Sequence, residues 1–125
     1  SEILCGQRVL PAVGQGALGL ECRADDRATM NAVSDLNDMH ARAAVSAERQ
    51  LLARLQAGCL APVAALGCVD KNQLHLHARV LAPDGCRMLD DKLTGPVHAG
   101  LDVGKQLADK LLEQGAASLI AIARQ

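Results

Sequence analysis

The sequence alternates apolar and polar side chains through Gln73-Leu74-His75-Leu76-His77-Ala78-Arg79-Val80-Leu81. A period of two residues is typical of a β-strand, because successive side chains point to opposite faces of a sheet. One face would carry Leu74, Leu76, Ala78 and Val80, and the other His75, His77 and Arg79. The pattern predicts a strand with one buried face, in a sheet that is covered on one side.

Two further strand candidates flank this segment. Residues 63–69 before it form a nearly continuous apolar run, and residues 86 to about 94 after it are weaker and more charged, as is typical of an edge strand. Asp70-Lys71-Asn72 and Pro83-Asp84-Gly85 are rich in turn-forming residues. We therefore expect an antiparallel meander of three strands.

Helical periodicity appears before the predicted meander. Asp25-Asp26 offers an N-cap for a short helix over about residues 27–36, and Asn37-Asp38 offers one for a longer helix over about 39–57. Gly58 fits the position just after that helix. The longer helix carries an apolar stripe at helical spacing, namely Ala44, Ala47, Leu51, Leu52 and Leu55.

After the meander, a last helix is predicted over about residues 99–114, ended by Gly115. The short apolar run at 116–122 fits a helical turn or a strand equally well. The order is thus α-β-β-β-α, which predicts an α+β fold: a three-stranded antiparallel sheet with helices on one face.

Residues 1–23 differ from the rest of the chain. Val13-Gly14-Gln15-Gly16-Ala17 predicts a glycine-rich turn, and residues 18–22 read as a short strand. A strand without a neighbour in sequence is marginal by itself. We expect this segment to pair with chain outside the sequence and to belong to another domain.

Composition argues against several classes of partner. The 125 residues carry a formal net charge of −1 and contain no Phe, Trp or Tyr. Scattered basic residues give no reason to expect nucleic acid or an anionic membrane as partner, and no aromatic platform exists for stacking bases. No run approaches the length of a membrane span, and no signal peptide opens the chain. The five cysteines lack a Cys-x-x-Cys pair, which indicates reduced thiols and a cytoplasmic protein.

Cys59 is the main candidate for chemistry. It lies in Gly58-Cys59-Leu60-Ala61-Pro62, where glycine and proline restrict the backbone on both sides. The simplest alternative is a buried structural thiol, since free cysteine is among the most buried residue types. Cys59 follows the C-terminus of a helix, whose dipole disfavours a thiolate, and this argues against a redox cysteine. Attack on a very electrophilic carbon remains compatible, because it needs no lowered pKa.

Three weaker candidates each have a plain structural alternative. Gly14-Gln15-Gly16 has amides that suit a carboxylate or phosphate, but it fits a simple tight turn. His75 and His77 share a strand face without a third metal ligand at suitable spacing, so solvated histidines are favoured. Glu48 and Arg49 are interpreted as a surface or inter-element salt bridge. No Ser-His-Asp triad or pair of catalytic carboxylates can be argued.

Several motifs resemble those of the porphobilinogen deaminases (hydroxymethylbilane synthases). Residues 10–23, LPAVGQGALGLECR, resemble a signature of that family, and Ala47-Glu48-Arg49 followed by residues 55–62 resembles its AER…L-x-G-G-C-x-x-P stretch. Ala82-Pro83-Asp84-Gly85 and residues 111–116 also fit. One departure is Ala57, where the family usually has the first glycine of Gly-Gly-Cys.

The resemblance implies the last third of a three-domain enzyme. Residues 1–35 would be the end of domain 1 with its interdomain segment, and residues 39–125 would be the C-terminal domain that anchors the cofactor. The implied reaction condenses four porphobilinogen molecules into hydroxymethylbilane, in tetrapyrrole and heme biosynthesis. Its electrophile is an azafulvene, which reacts with a soft thiol.

The resemblance also implies which residues take part. Cys59 would hold a dipyrromethane cofactor through a thioether, with Gly58, Gln15 and Gly16 as further cofactor-binding residues. The family's catalytic aspartate and substrate-binding arginines lie in domains 1 and 2, which would be the partners of this chain. We therefore expect a transferase in the intact enzyme and an inactive fragment by itself.

Two other functions compete with this interpretation. The α-β-β-β-α order is shared with double-stranded-RNA-binding modules, yet the last helix offers only Lys105 and Lys110 among acidic residues. A thiol- or metal-handling protein is disfavoured because the cysteines are unpaired in sequence. RNA binding in a filter assay and a thiol titration with zinc would separate these alternatives.

Overall fold

The computed structural model describes residues 8–58 and 61–123, which form helices around a three-stranded sheet. Its helices are α1 (Arg27–Ser34), α2 (Met39–Arg54), α3 (Gly100–Glu113) and α4 (Ala116–Ile122), with a 3-10 turn at Val97–Ala99. Its strands are β1 (Val63–Asp70), β2 (Gln73–Leu81) and β3 (Met88–Pro96). The predicted α-β-β-β-α order is confirmed, and the undecided run at the end of the chain is helical.

The sheet is the predicted antiparallel meander, in the order β1-β2-β3. Ala65 of β1 lies opposite Ala78 of β2, and Leu76 of β2 lies opposite Leu93 of β3. β3 begins two residues later than the predicted strand, because the connecting loop is longer. The amide of Ala82 donates to the carbonyl of Arg87 (2.8 Å), which closes the loop around Cys86.

The core lies between one face of this sheet and the helices. The inward residues of β2 are all buried, as the alternation predicts. Helices α2 and α3 pack against this face and against each other, and α4 adds Leu119 and Ile120. The largest fully buried side chains are all aliphatic: Leu51, Leu74, Leu76, Val80, Leu107, Leu111 and Leu119.

Helices α2 and α3 approach each other closely through small residues. A Cβ atom added to Gly104 of α3 would lie 2.3 Å from the carbonyl oxygen of Ala47, and one added to Gly100 would lie 3.0 Å from that of Ala43. The distance at Gly104 is shorter than a side chain tolerates against a backbone, and the distance at Gly100 would require a small shift of the neighbouring helix. The helix pair therefore depends on glycine at these positions of α3.

Aspartates cap the first two helices, as predicted. The carboxylate of Asp26 accepts from the amide of Thr29 (3.0 Å), and that of Asp38 accepts from His40 (2.8 Å) and Ala41 (2.9 Å). The backbone hydrogen bond from Thr29 lowers the pKa of Asp26, and those from Ala41 and then His40 lower the pKa of Asp38. Each cap satisfies amides that have no partner inside the helix.

The end of α2 differs from the prediction. The helix ends at Arg54, and Gln56 takes the left-handed conformation (φ 51°) that was expected of Gly58. The amide of Ala57 donates to the carbonyl of Leu52 (3.1 Å), and that of Gln56 to Ala53 (3.0 Å). This pair of bonds is a Schellman motif with a non-glycine residue at the left-handed position. Gly58 therefore lies in the loop and not at the helix end.

The strand predicted over residues 18–22 does not form. Leu18 is 99% exposed and Leu20 is 65% exposed, and residues 17–23 adopt no regular structure. A strand needs a neighbour with free backbone groups. On the open edge of β1, the amide of Ala65 already donates to Pro11 and that of Gly67 to Glu48, so residues 18–22 find no pairing there.

Candidate functional site

The loop between α2 and β1 is held together at both ends. Cys59 itself, with Leu60, lies outside the described residues. The amide of Ala61 donates to the carbonyl of Gly58 (2.9 Å), and the amide of Leu81 donates to Pro62 (3.0 Å), which extends the β1–β2 ladder. The loop thus leaves the sheet at a fixed point, immediately before β1 begins.

The surroundings of this loop suit an attached group. Gly58 is exposed, and a Cβ atom added to it would meet no other atom within 4 Å. The residue just before Cys59 is therefore uncrowded by the described part of the chain. Since α2 ends at Arg54, five residues before Cys59 in sequence, the dipole at its C-terminus would not stabilise a thiolate there.

The glycine-rich turn is built as two successive tight turns. The amide of Gln15 donates to the carbonyl of Ala12 (3.0 Å), and that of Ala17 donates to Gly14 (3.3 Å). Gly14 (φ 72°) and Gly16 (φ 84°) both have positive φ, which explains glycine at these positions. The side-chain oxygen of Gln15 accepts from the amide of Ala12 (3.0 Å).

These hydrogen bonds leave few backbone amides of the turn available to bind a ligand. The amides of Gly14, Gln15 and Ala17 are all engaged within the protein, which favours the plain tight turn for the backbone. Gln15 and Gly16 are exposed. Their assignment to the cofactor surroundings stays a prediction.

The sequence predicts a surface or inter-element salt bridge for Glu48 and Arg49, and the structure shows Glu48 bound to backbone amides instead. Its side chain is buried (5% exposed) and holds two backbone amides, one from Gly14 and one from Gly67, each at 2.7 Å. Arg49, the other member of the expected pair, is exposed. Nothing in the sequence around Glu48 indicates that its partners are amides of residues far away in the chain.

The segment before the glycine-rich turn packs against β1 and the core. The carbonyl of Pro11 accepts from Ala65 of β1 (3.2 Å), Leu10 is 7% exposed, and Val13 packs against the core. Ala57, Ala61 and Val63, around the Cys59 loop, pack against the same core. The structure therefore places the turn and the ends of the loop on one continuous body.

The histidines of β2 have partners on β3. His75 contacts the hydroxyl of Thr94 (2.9 Å), and His77 contacts the carboxylate of Asp90 (2.8 Å), which also pairs with Arg79. No group of three or more His, Cys, Asp or Glu side chains within 8–58 and 61–123 is arranged to hold a metal ion. In the same part of the chain, no helix is long and apolar enough to cross a membrane.

A broad open cleft lies beside the segment that follows the turn. Its volume is about 680 Å³, and it separates residues 18–20 from helices α1 and α2. Its lining includes Leu18, Leu20, Leu36, Arg42 and Arg49. Leu36 is itself 70% exposed, so the cleft combines uncovered leucines with two arginines.

The order of the helices and strands defines an α+β domain whose sequence carries a cysteine between its first long helix and its sheet. Residues 42–113 match the family described as "Porphobilinogen deaminase, C-terminal domain". A porphobilinogen deaminase of Trichlorobacter lovleyi is 42% identical over 120 residues, which cover 96% of this chain and 38% of that protein. A porphobilinogen deaminase of Pelotomaculum thermopropionicum is 42% identical over 116 residues, 93% of this chain and 37% of that protein.

The chain belongs to the porphobilinogen deaminase family, as its C-terminal domain. It spans less than two fifths of the length of these curated relatives. The resemblance inferred from the sequence motifs is thereby confirmed at the level of the family.

Proposed function

We propose that this chain is the cofactor-carrying part of a hydroxymethylbilane synthase, a transferase that condenses four porphobilinogen molecules. The observation that carries the proposal is the family match over residues 42–113, which includes the Gly58-Cys59-Leu60-Ala61-Pro62 loop. The relatives named above are porphobilinogen deaminases along almost the whole of this chain. In this proposal the product enters tetrapyrrole and heme biosynthesis.

Cys59 is the proposed attachment point of a dipyrromethane, which would serve as the primer to which substrate units are added. In the attachment step, the sulfur bonds to an electrophilic methylene carbon of an azafulvene, and the thiol proton passes to the pyrrole nitrogen. The step is an addition, so it needs no oxidant. Support comes from the exposed Gly58 and the open space beside it.

Gly58, Gln15 and Gly16 are the proposed neighbours of the attached group. Gly58 leaves room next to the cysteine, and Gln15 and Gly16 lie at the exposed side of a turn that is fixed to the same domain. The acid–base groups and the substrate-binding arginines are proposed to come from the remainder of a deaminase. The chain by itself is therefore expected to turn over no porphobilinogen.

The proposed partner is that remainder, corresponding to domains 1 and 2 of the family. The chain spans 38% of a relative's length, and the cleft beside residues 18–20 exposes leucines that a neighbouring domain would cover. Uncovered apolar surface of this kind is typical of a surface that binds another protein or domain.

The test is the intact mass of the chain after mixing with domains 1 and 2 of a porphobilinogen deaminase and hydroxymethylbilane. On the wild type and not on Cys59→Ser, we expect a four-pyrrole adduct, which shortens to dipyrromethane size once porphobilinogen is added and hydroxymethylbilane is released. The matched control is Cys68→Ser, because Cys68 is an exposed thiol on β1. It should carry the adduct like the wild type.

Three results would contradict the proposal. An adduct that persists on Cys59→Ser would place the attachment at another residue. Product formed by the chain without its partner would contradict the proposal that the acid–base and substrate-binding groups lie in domains 1 and 2. If the pieces associate and no adduct appears on any variant, the cofactor role is wrong and only family membership remains.

A further inference from the structure

Among the described residues, Glu48 is the one polar or charged residue that is buried, with 5% of its surface exposed. The proposed chemistry does not use it. Burying a carboxylate is costly unless its oxygens are hydrogen-bonded. Here each oxygen accepts one amide at 2.7 Å, Oε2 from Gly14 and Oε1 from Gly67. Charge-assisted bonds of this length are stronger than bonds between neutral groups. The side chain thus joins two distant parts of the chain through α2.

One of these amides belongs to the open edge of β1. Within residues 8–58 and 61–123, β2 is the only strand paired with β1, and the amide of Gly67 donates to Glu48. A Cβ atom added to Gly67 would lie 2.9 Å from the Cβ of Ala44, so the strand passes very close to α2 at this point. This close approach brings the amide within reach of the Glu48 carboxylate, one helical turn further along α2.

The other amide belongs to the glycine-rich turn, at the place where the N-terminal segment leaves the domain. Before the turn, Pro11 is bonded to β1 and Leu10 is buried. After it, residues 15–21 are exposed. Gln15 closes the turn from within, through its bond to Ala12, and Glu48 attaches the turn to the domain. Glu48 is accordingly the last described attachment before the segment departs.

We propose that Glu48 is a positioning residue: by holding the amides of Gly14 and Gly67 together, it sets the location of the glycine-rich turn relative to the Cys59 loop. The loop lies between α2, which carries Glu48, and β1, which carries Gly67. One carboxylate therefore fixes the turn to both elements that flank the loop. The consequence for cofactor attachment rests on the proposed function, whereas the position of the turn does not.

The first test is amide hydrogen exchange by NMR on the 125-residue chain. In Glu48→Ala, exchange at Gly14 and Gly67 should accelerate by at least about tenfold, because both amides lose their acceptor. Exchange at Leu107 in α3 should change much less. The matched control is Glu113→Gln, an exposed glutamate on α3, which should leave both glycines unchanged.

Glu48→Gln is a second variant for the same measurement, in case Glu48→Ala does not fold. The amide side chain has nearly the same size but keeps only one acceptor oxygen. One of the two glycine amides should remain protected while the other exchanges faster. If Gly14 keeps its protection in both variants, or loses it only together with Leu107, the positioning role is wrong.

The second test measures the rate of adduct formation on Cys59, in the mixture with domains 1 and 2. Glu48→Ala should slow the adduct by about tenfold or more while alkylation of Cys59 by iodoacetamide keeps its rate, because the thiol is untouched. Equal slowing of both reactions would indicate general loss of structure and would overturn the role. If the wild type forms no adduct, the proposed function is wrong. The hydrogen-exchange experiment then tests by itself whether Glu48 holds the turn in place.

Discussion

Asp90 organises the solvent-facing side of the sheet. Its carboxylate lies between His77 and Arg79 of the neighbouring strand and pairs with both. Partial burial by itself would raise the pKa of Asp90, but the hydrogen bonds from Arg79 and His77 outweigh it and hold the pKa below its ordinary value of 3.8. Arg79 also donates to the carbonyl of Arg8 (3.0 Å), so the cluster reaches the N-terminal segment.

The lowered pKa of Asp90 gives a pH-dependent prediction. Its carboxylate stabilises the fold above the unfolded pKa, and this contribution is lost as the pH falls through the lower, folded pKa. Asp90→Asn should reduce the free energy of unfolding by on the order of 1 kcal/mol at neutral pH. In urea titrations at several pH values, the difference from the wild type should shrink below about pH 4.

Asp70→Asn is the matched control for Asp90→Asn. Asp70 is exposed at the end of β1, where asparagine is equally suited to the turn, so this variant should unfold like the wild type. A difference between Asp90→Asn and the wild type that stays constant down to acidic pH would contradict the role of the charge.

At the scale of elements, the α2–α3 contact is the most constrained part of the fold. Glycine normally weakens the interior of a helix relative to alanine. Gly104 nevertheless lies in the middle of α3, because a Cβ atom there would lie 2.3 Å from a carbonyl oxygen of α2. The close approach brings Leu107 and Leu111 into the core next to Leu51.

Gly104→Ala should therefore destabilise the chain despite the better helix propensity of alanine. The helices must separate to admit the methyl group, at a cost of about 2 kcal/mol in the free energy of unfolding. Chemical denaturation followed by circular dichroism measures this. Gly19→Ala is the control, because a Cβ atom there meets nothing within 4 Å. An alanine at 104 that leaves stability unchanged or raises it would show that the helix contact is looser than described.

At the scale of the whole molecule, one side is left uncovered. Leu18, Leu20 and Leu36 are exposed around the cleft next to α1, a helix that has no buried residue. The chain corresponds to 38% of a relative's length, and the remainder of a deaminase is the proposed cover. The domain around the sheet has its own core and does not depend on this side for its packing.

Replacing both Leu18 and Leu20 by glutamine should weaken association with domains 1 and 2 of a deaminase by about tenfold or more, because apolar contact area is lost. Stability of the chain should stay the same, since both side chains are exposed. Isothermal titration calorimetry measures the affinity. Leu101→Gln is the control, a leucine with 60% exposure on α3. Equal affinities for the double variant and the wild type would exclude this side as the contact.

Local patterns in the sequence predicted most of the fold. Alternation located β2 to the residue, and Asp26, Asp38 and Gly115 marked helix ends because capping is a short-range interaction. The helix end at Gln56 was missed, because a left-handed glutamine in a Schellman motif has no distinctive composition.

Features that depend on distant partners were not predictable from such patterns. The strand over residues 18–22 was expected from composition, but a strand forms only beside another. The buried role of Glu48 depends on amides 34 and 19 residues away in sequence. Cys59 and its neighbours were found through motif resemblance, and their role in cofactor attachment stays a prediction.

The purely aliphatic core also has an optical consequence. With no Trp, Tyr or Phe, the protein has almost no near-ultraviolet absorbance and no intrinsic fluorescence of its own. Any such absorbance in a purified sample must come from an attached molecule or a bound partner. The near-ultraviolet spectrum of a pyrrole chromophore on this chain would therefore contain almost no contribution from the protein. It would report directly on the chromophore and its surroundings.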